Sequence, residues 1–270
     1  MTQLAGKRAL ITGAASGLGR LLAQRLATSG CRLVLWDLNE ASLAQLAGEL
    51  GDLTEVDTAT CDVSDAEMVN VSARQALECG PVDILINNAG IVTGRRLLEA
   101  DEAGIRRTLS VNTLSLFWTT RAFLPGMIAN GGGHVVTIAS AGGLVGTARL
   151  TDYCASKFAA VGFDEALRLE LESEGHPVRT TVVCPYYLDT GMFRGVRTRF
   201  SWLLPIQRPE PVADRIVAAI RRNRRRLITP RFVYSAFLTR LLPVPVFDWL
   251  MDFFGVSHSM DRFTGRSGQS

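Results

Sequence analysis

Lysine is almost missing from this sequence. Of its 29 basic residues only Lys7 and Lys157 are lysines; the others are arginines. Histidine is scarce too, and the five cysteines (Cys31, Cys61, Cys79, Cys154 and Cys184) are scattered, with no Cys-x-x-Cys among them. That leaves no ligand cluster for structural zinc and no disulfide framework, and it fits a reducing cytosol. No uninterrupted apolar run is long enough for a membrane-spanning helix, which needs about 20 residues. The richest stretch, residues 232–256, is broken by Arg240, Pro243, Pro245, Asp248 and Asp252. The first apolar strand begins within about seven residues, which leaves no room for a signal peptide. The expected location is cytoplasmic, either free or peripheral at a membrane surface.

What is present is apolar and periodic. Hydrophobic residues make up 47% of the 270 residues, enough for one large domain with a full core. Short buried runs occur at residues 9–11, 32–36, 84–86, 135–138 and 180–183, with helical stretches between them. Continuous apolar strands spaced by helices predict an α/β, Rossmann-type doubly wound parallel sheet covered on both faces. The expected division is a cofactor-binding and catalytic domain over residues 1–230 and an apolar C-terminal extension over 231–270.

Between the first strand and the first helix lies Thr12-Gly13-Ala14-Ala15-Ser16-Gly17-Leu18-Gly19. Glycines there let backbone N–H groups and a helix N-terminus face a pyrophosphate. Asp37 ends the second strand, where a carboxylate accepts hydrogen bonds from ribose hydroxyls and repels a 2′-phosphate. Leu38 follows it, and Ser16 brings no cation, so NAD is favoured over NADP. Asp62, with Val63 after it, follows the third strand and is placed to meet an adenine edge. Asn87-Asn88-Ala89-Gly90 follows the fourth, with small residues that allow close approach to a cofactor.

Tyr153 and Lys157 are four residues apart, a spacing that puts both on one helix face. A lysine ammonium is a compact charge that arginine does not replace, and beside a phenol it lowers a pKa of about 10. This predicts Tyr153 as a general acid or base near neutral pH.

Together these residues resemble the short-chain dehydrogenase/reductase family over roughly residues 5–195. The match comprises Thr-Gly-x-x-x-Gly-x-Gly at 12–19, Asn-Asn-Ala-Gly at 87–90, Asn112, Ser140 and Tyr153-x-x-x-Lys157. Residues 33–37, 91–94, 152–160, 191–193, 203–206 and 258–261 look like the branch with epidermal-type retinol and membrane-associated hydroxysteroid dehydrogenases. The resemblance implies an oxidoreductase that moves hydride between a nicotinamide cofactor and a lipophilic alcohol or carbonyl. It implies Tyr153 as acid/base and Ser140 orienting the substrate oxygen. Lys157 would hold the nicotinamide ribose, and Asn112 a water in a proton relay. Pro185, Leu188 and Thr190 match the family's nicotinamide-contacting loop, although Tyr186 stands where the family has glycine.

The C-terminal part departs in charge. Residues 191–270 carry 14 arginines against five acids, and five of residues 221–226 are arginine. Residues 192–208 fall where the family has its substrate lid and are strongly apolar. Residues 231–256 read as a further lid, an oligomer contact or a membrane-surface segment. Ala155, Phe158, Ala159, Gly162 and Phe163 give the helix after Tyr153 a small and aromatic face, so a homodimer or homotetramer is expected. Two other functions compete: a 3-oxoacyl-thioester reductase whose arginines meet an acidic carrier, and a non-catalytic nucleotide sensor or nucleic-acid binder. The second leaves the Asn112, Ser140, Tyr153 and Lys157 set unexplained, so no nucleic acid is expected as a partner.

Overall fold

The computed structural model describes residues 1–265. Its chain opens with β1 (Arg8–Thr12), α1 (Gly17–Ala27), β2 (Arg32–Asp37), α2 (Glu40–Leu50), β3 (Val56–Thr60) and α3 (Ala66–Glu78). It continues through β4 (Ile84–Asn87), α4 (Glu102–Leu109), α5 (Ser115–Ala129), β5 (Gly133–Ile138), α6 (Thr151–Ser173) and β6 (Val178–Pro185). Then come α7 (Pro209–Arg221), β7 (Arg226–Thr229), α8 (Ser235–Thr239) and α9 (Val244–Phe253). The last five residues of the expected C-terminal extension, 266–270, lie outside the described residues.

Side chains alternate across a strand, and here that alternation decides the layering. Ala9 and Ile11, Leu33 and Leu35, Ile84 and Ile86 face one side, where Leu22 and Leu26 of α1, Leu43 and Leu46 of α2, and Ile216 and Ile220 of α7 cover them. Leu10, Val34, Trp36 and Leu85 face the other, against Val69 of α3, Phe123 and Met127 of α5, and Leu167 of α6. Both faces are therefore dry, as an all-parallel sheet requires.

The strand order is β3-β2-β1-β4-β5-β6-β7, with every pairing parallel. The chain builds outward from β1 to β3 and then returns to place β4 on β1's other side. The loops after β1 and β4 consequently part at the carboxyl edge and open a crevice there. β7 lies where the sequence reading placed only a cationic run. Three of its residues, Leu227-Ile228-Thr229, are buried, which is too short a signal beside five arginines.

A single wide π turn, Ser110–Leu114, joins α4 to α5. Beyond β7, residues 231–265 fold back across the mouth of the crevice. Arg197 N donates to Ser259 O (3.1 Å) and Thr264 N to Arg194 O (2.9 Å), which pins this return to the loop after β6.

Arg8 anchors the amino end of β1. It is 2% exposed. Its Nη1 donates to the carbonyls of Ala76 and Gly80, each at 2.6 Å, and its Nη2 pairs with Asp57. Replacing it leaves a buried and a partly buried carbonyl without this donor. We expect Arg8→Met to lower the unfolding free energy in urea by about 3 kcal/mol. A loss indistinguishable from zero would mean that water takes over these carbonyls.

Candidate active site

The crevice begins with two loops stitched to each other. Thr12 Oγ1 accepts the N–H groups of Asn88 and Ala89, both at 3.0 Å. Asn88 Nδ2 donates back to the carbonyls of Thr12 (2.9 Å) and Gly13 (3.0 Å). Glycine is required at two points of this joint. Gly13 has φ +63°, and a Cβ there would stand 2.9 Å from Ala89 Cα. A Cβ on Gly19 would stand 2.1 Å from Gly13 O. Helix α1 therefore sits hard against the loop, with its positive end open to the crevice.

Asp37 is braced by that loop: its Oδ2 accepts Ala15 N (2.9 Å) and its Oδ1 accepts Asn39 N (3.1 Å). Asp62 is fixed by Ser64, whose N–H and hydroxyl both donate to its Oδ1, at 2.9 and 2.6 Å.

Deeper in the crevice are the four residues expected to carry chemistry. Ser140 follows β5, and its Oγ accepts Gly142 N at 3.0 Å. Tyr153 and Lys157 lie on α6, 5% and 4% exposed. Lys157 Nζ donates to Ile138 O (2.9 Å) and lies 5.7 Å from the Tyr153 ring centroid. Asn112 stands in the π turn and is buried. Its Oδ1 accepts Ile91 N (2.8 Å) while its Nδ2 donates to Ile91 O (2.9 Å) and Ser156 Oγ (3.0 Å). The Asn112 amide thus acts as a strand partner for Ile91. A Cβ on Gly90 would lie 3.4 Å from Asn112 Oδ1 and 3.5 Å from Lys157 Nζ, so glycine keeps the space between these two groups free of side chain.

The electrostatics correct one expectation. Burial holds the Tyr153 phenol above its ordinary pKa; a hydrogen bond from Ser140 opposes this without cancelling it. Burial also pushes Lys157 down to about 8. Without a bound cofactor the desolvation of both groups outweighs the ammonium–phenol attraction that the four-residue spacing suggested.

One cleft of about 820 Å³ collects nearly all the expected residues. Gly13, Ser16, Leu18, Asp37, Leu38, Asp62, Val63, Asn88, Ala89 and Gly90 line one end, and Ser140, Tyr153, Lys157, Pro185, Leu188 and Thr190 the middle. Gly17, Gly19 and Asn112 are behind the wall rather than on it, in supporting positions. Among the described residues no group of His, Cys, Asp or Glu is placed to hold a metal ion.

The comparisons agree with this geometry. Residues 7–200 match the short chain dehydrogenase family. Epidermal retinol dehydrogenase 2 of Mus musculus is 45% identical over 97% of this chain and 87% of its own length. Retinol dehydrogenase 10 of Rattus norvegicus is 40% identical over 99% of this chain and 87% of its own. A short chain dehydrogenase/reductase from Burkholderia phymatum, solved in complex with NAD, superposes with a TM-score of 0.81 at 30% identity, covering 89% of this chain and 95% of that one. A metagenomic short-chain oxidoreductase in complex with NADP gives 0.68 at 27%, covering 81% and 92%. The protein belongs to the short-chain dehydrogenase family.

As a short-chain dehydrogenase it is an oxidoreductase that works with a nicotinamide cofactor, and the glycine loop, Asp37 and the Lys157 pocket fit such a group. The departure at Tyr186 is accommodated without strain. Among the described residues the only non-glycines at positive φ are Arg149 and Asn223, so Tyr186 needs no glycine-like backbone. Its ring enters the cleft and meets Tyr187 at a 4.7 Å centroid distance.

Of the three roles the sequence left open for residues 231–256, the structure places part of the segment at the far wall of the cleft. Phe232, Val233, Ala236, Met251, Phe254 and Val256 all line it. Their apolarity was visible, but not which side of each short helix turns inward. Of the expected lid, Met192, Phe193 and Leu204 line the cleft, whereas Trp202 is 80% exposed.

Proposed function

We propose that this short-chain dehydrogenase oxidises a lipophilic alcohol with NAD, or reduces the matching carbonyl, and that Tyr153 carries the proton. The observation that carries this reading is the continuity of the cleft. It runs from Asp37 past Tyr153 into a chamber walled by Met192, Phe193, Leu204, Phe232, Met251 and Phe254. An apolar wall of this extent gains little from a small polar substrate and much from an elongated apolar one. The retinol named in the relatives is a substrate of that shape.

When bound, the nicotinamide supplies the hydride acceptor or donor. The protein's own part is proton handling and placement. Ser140 Oγ orients the substrate oxygen beside Tyr153 and stabilises charge on the phenol. Tyr153 Oη takes the hydroxyl proton in oxidation and returns it in reduction. Lys157 spends one donor on Ile138 O and has two left for ribose hydroxyls and the phenolate side of the cleft. The gap left by Gly90 between Lys157 and Asn112 supports a relay of that proton through this wall.

Asp37 supports NAD over NADP. The cleft's cations are Arg107 and Lys157, and neither stands on the loops after β1 or β2, where a 2′-phosphate would need a partner. The thioester-reductase reading loses its main support. The arginines at 221–225 precede β7 and Arg226 opens it, so they lie at the amino edge of the sheet, opposite the cleft; Arg225 and Arg226 pair with Glu172 and Glu165 of α6. Those ion pairs also weaken the case for a nucleic-acid surface.

Two contacts complete the proposal. Ala155, Ala159 and Gly162 lie exposed along α6, near Leu109, Leu114 and Phe117, which supports a homo-oligomer through this face. Leu238, Leu241, Val244 and Trp249 are each more than 60% exposed on α8, α9 and the turn between them, with Arg240 among them. No helix among the described residues is long and apolar enough to cross a membrane. This patch supports peripheral contact with an anionic lipid surface instead.

Four measurements test the reading. Tyr153→Phe is expected to cut turnover of retinol or a long-chain alcohol by about 10³-fold while NAD still binds. Because burial keeps the phenol protonated, wild-type oxidation should climb as pH rises from 7 to 10; a flat profile would remove Tyr153 as the base. Asp37→Ala should raise KM for NAD by about tenfold or more and leave NADP nearly unchanged; equal losses would show that Asp37 does not read the ribose. In sedimentation with phosphatidylserine-containing vesicles, Leu241→Glu with Trp249→Glu should release the protein, and binding as strong as wild type would exclude this patch.

A further inference from the structure

The segment after α9 reaches the reacting phenol through a chain of three side chains. Ser259 is 2% exposed and Met260 1%. Ser259 Oγ donates to Val256 O at 2.9 Å. A serine hydroxyl has one proton. Tyr187 Oη, 2.9 Å from the same oxygen, must therefore be the donor to it. Tyr187 is thereby fixed in direction as well as in place.

Its ring meets that of Phe193 edge-on, with centroids 5.1 Å apart. Phe193 in turn meets Tyr153 edge-on, at 5.6 Å and an interplanar angle of 82°. The backbone bonds from Arg197 and Thr264 tie the Phe193 loop to this same segment. Phe263 completes the tie. Its ring fills the place a Gly94 side chain would take, 2.0 Å from where that Cβ would be. Tyr153, Tyr187, Phe193, Met260 and Phe263 belong to one small apolar cluster with Leu150 and Val196, separate from the two cores of the sheet.

We infer that residues 256–264 hold Phe193 over Tyr153, making Phe193 a specificity-determining residue and Tyr187 and Ser259 positioning residues that act through it. Rings at 5.6 Å are in contact, so no further ring fits between them. A carbinol at the end of a narrow chain approaches the phenol along the Phe193 edge. A carbinol carbon inside a fused ring carries ring atoms on both sides, and one side meets Phe193. The wall therefore selects terminal primary alcohols against ring-bound secondary ones. This rests on the alcohol–carbonyl reading above for its chemistry but not for its geometry.

The test compares retinol with a steroid secondary alcohol, by kcat/KM with saturating NAD and by tryptophan-fluorescence titration of the NADH-loaded protein. Phe193→Ala is expected to move both ratios toward the steroid by about tenfold or more, and Phe193→Leu by less in the same direction. Tyr187→Phe and Ser259→Ala should each shift them by about threefold, and the double variant no further than Ser259→Ala alone, since both remove the Tyr187–Ser259 hydrogen bond. The inference is overturned by ratios unchanged in both Phe193 variants, or by additive effects at 187 and 259. If the wild type turns over neither alcohol, the reaction reading fails; the binding ratios then decide the Phe193 wall on their own.

Discussion

The hydroxyl of Thr12 holds the working edge of this protein together. It accepts two N–H groups from the loop after β4, and Asn88 answers with two donations to the loop after β1. These loops part where the strand order reverses, the one place where a parallel sheet of this topology cannot close over itself. Without a tie, the crevice would have walls but no fixed width. Because the tie uses backbone groups on both sides, the distance from the glycine loop to Gly90 is set by hydrogen-bond lengths. Gly13 and Gly19 matter for the same reason: the loops sit closer than a Cβ permits. The position of everything downstream, from Asp37 to Lys157, is measured from this joint.

A second constraint acts on the chemistry. Tyr153 and Lys157 are nearly excluded from water, which disfavours the charged form of each. Each group is thus less ready, alone, to take the charge that proton transfer needs. The same dry surroundings strengthen any fixed charge brought in beside them. In the proposed function, a nicotinamide that is cationic when oxidised would offset this cost by favouring the phenolate of Tyr153.

Much of this was legible in the amino-acid order, for reasons that differ from residue to residue. The strands at 9–11 and 84–86 were readable because both faces are buried and every position is apolar. Asp37 was readable because it ends an apolar run, and the parallel sheet puts such ends on one edge; Asp62 follows the polar strand Val56–Thr60 and was placed by its order along the chain. Tyr153 and Lys157 were readable through helical spacing. Their acid strengths were not, since burial depends on residues thirty or more positions away, such as Tyr187. Asn112 was found as a residue, but its grip on Ile91 depends on a π turn that apolar periodicity does not signal. β7 escaped because two apolar residues beside an arginine run carry no period. Ser259 drew notice only within a motif; its bond to Tyr187 spans 72 positions.

The C-terminal helices show why composition alone left their role open. Met251 and Phe254 turn into the cleft, while Leu241, Val244 and Trp249 turn outward, so both sides of one short segment are apolar. Asp248 and Asp252 give α9 one polar stripe, but its other exposed side chains are apolar and gain from being covered. In α9 no residue is buried, and its end is held by Arg199, which donates to Phe253 O at 3.0 Å and lies over the rings of Phe200 and Phe253. With the inner side set aside for a lipophilic substrate, the outer side calls for an apolar cover of its own. A lipid surface there would put the substrate's source and the cleft on opposite faces of a single helix. An apolar molecule would then cross from one to the other without passing through water, which is the costly step for such a molecule.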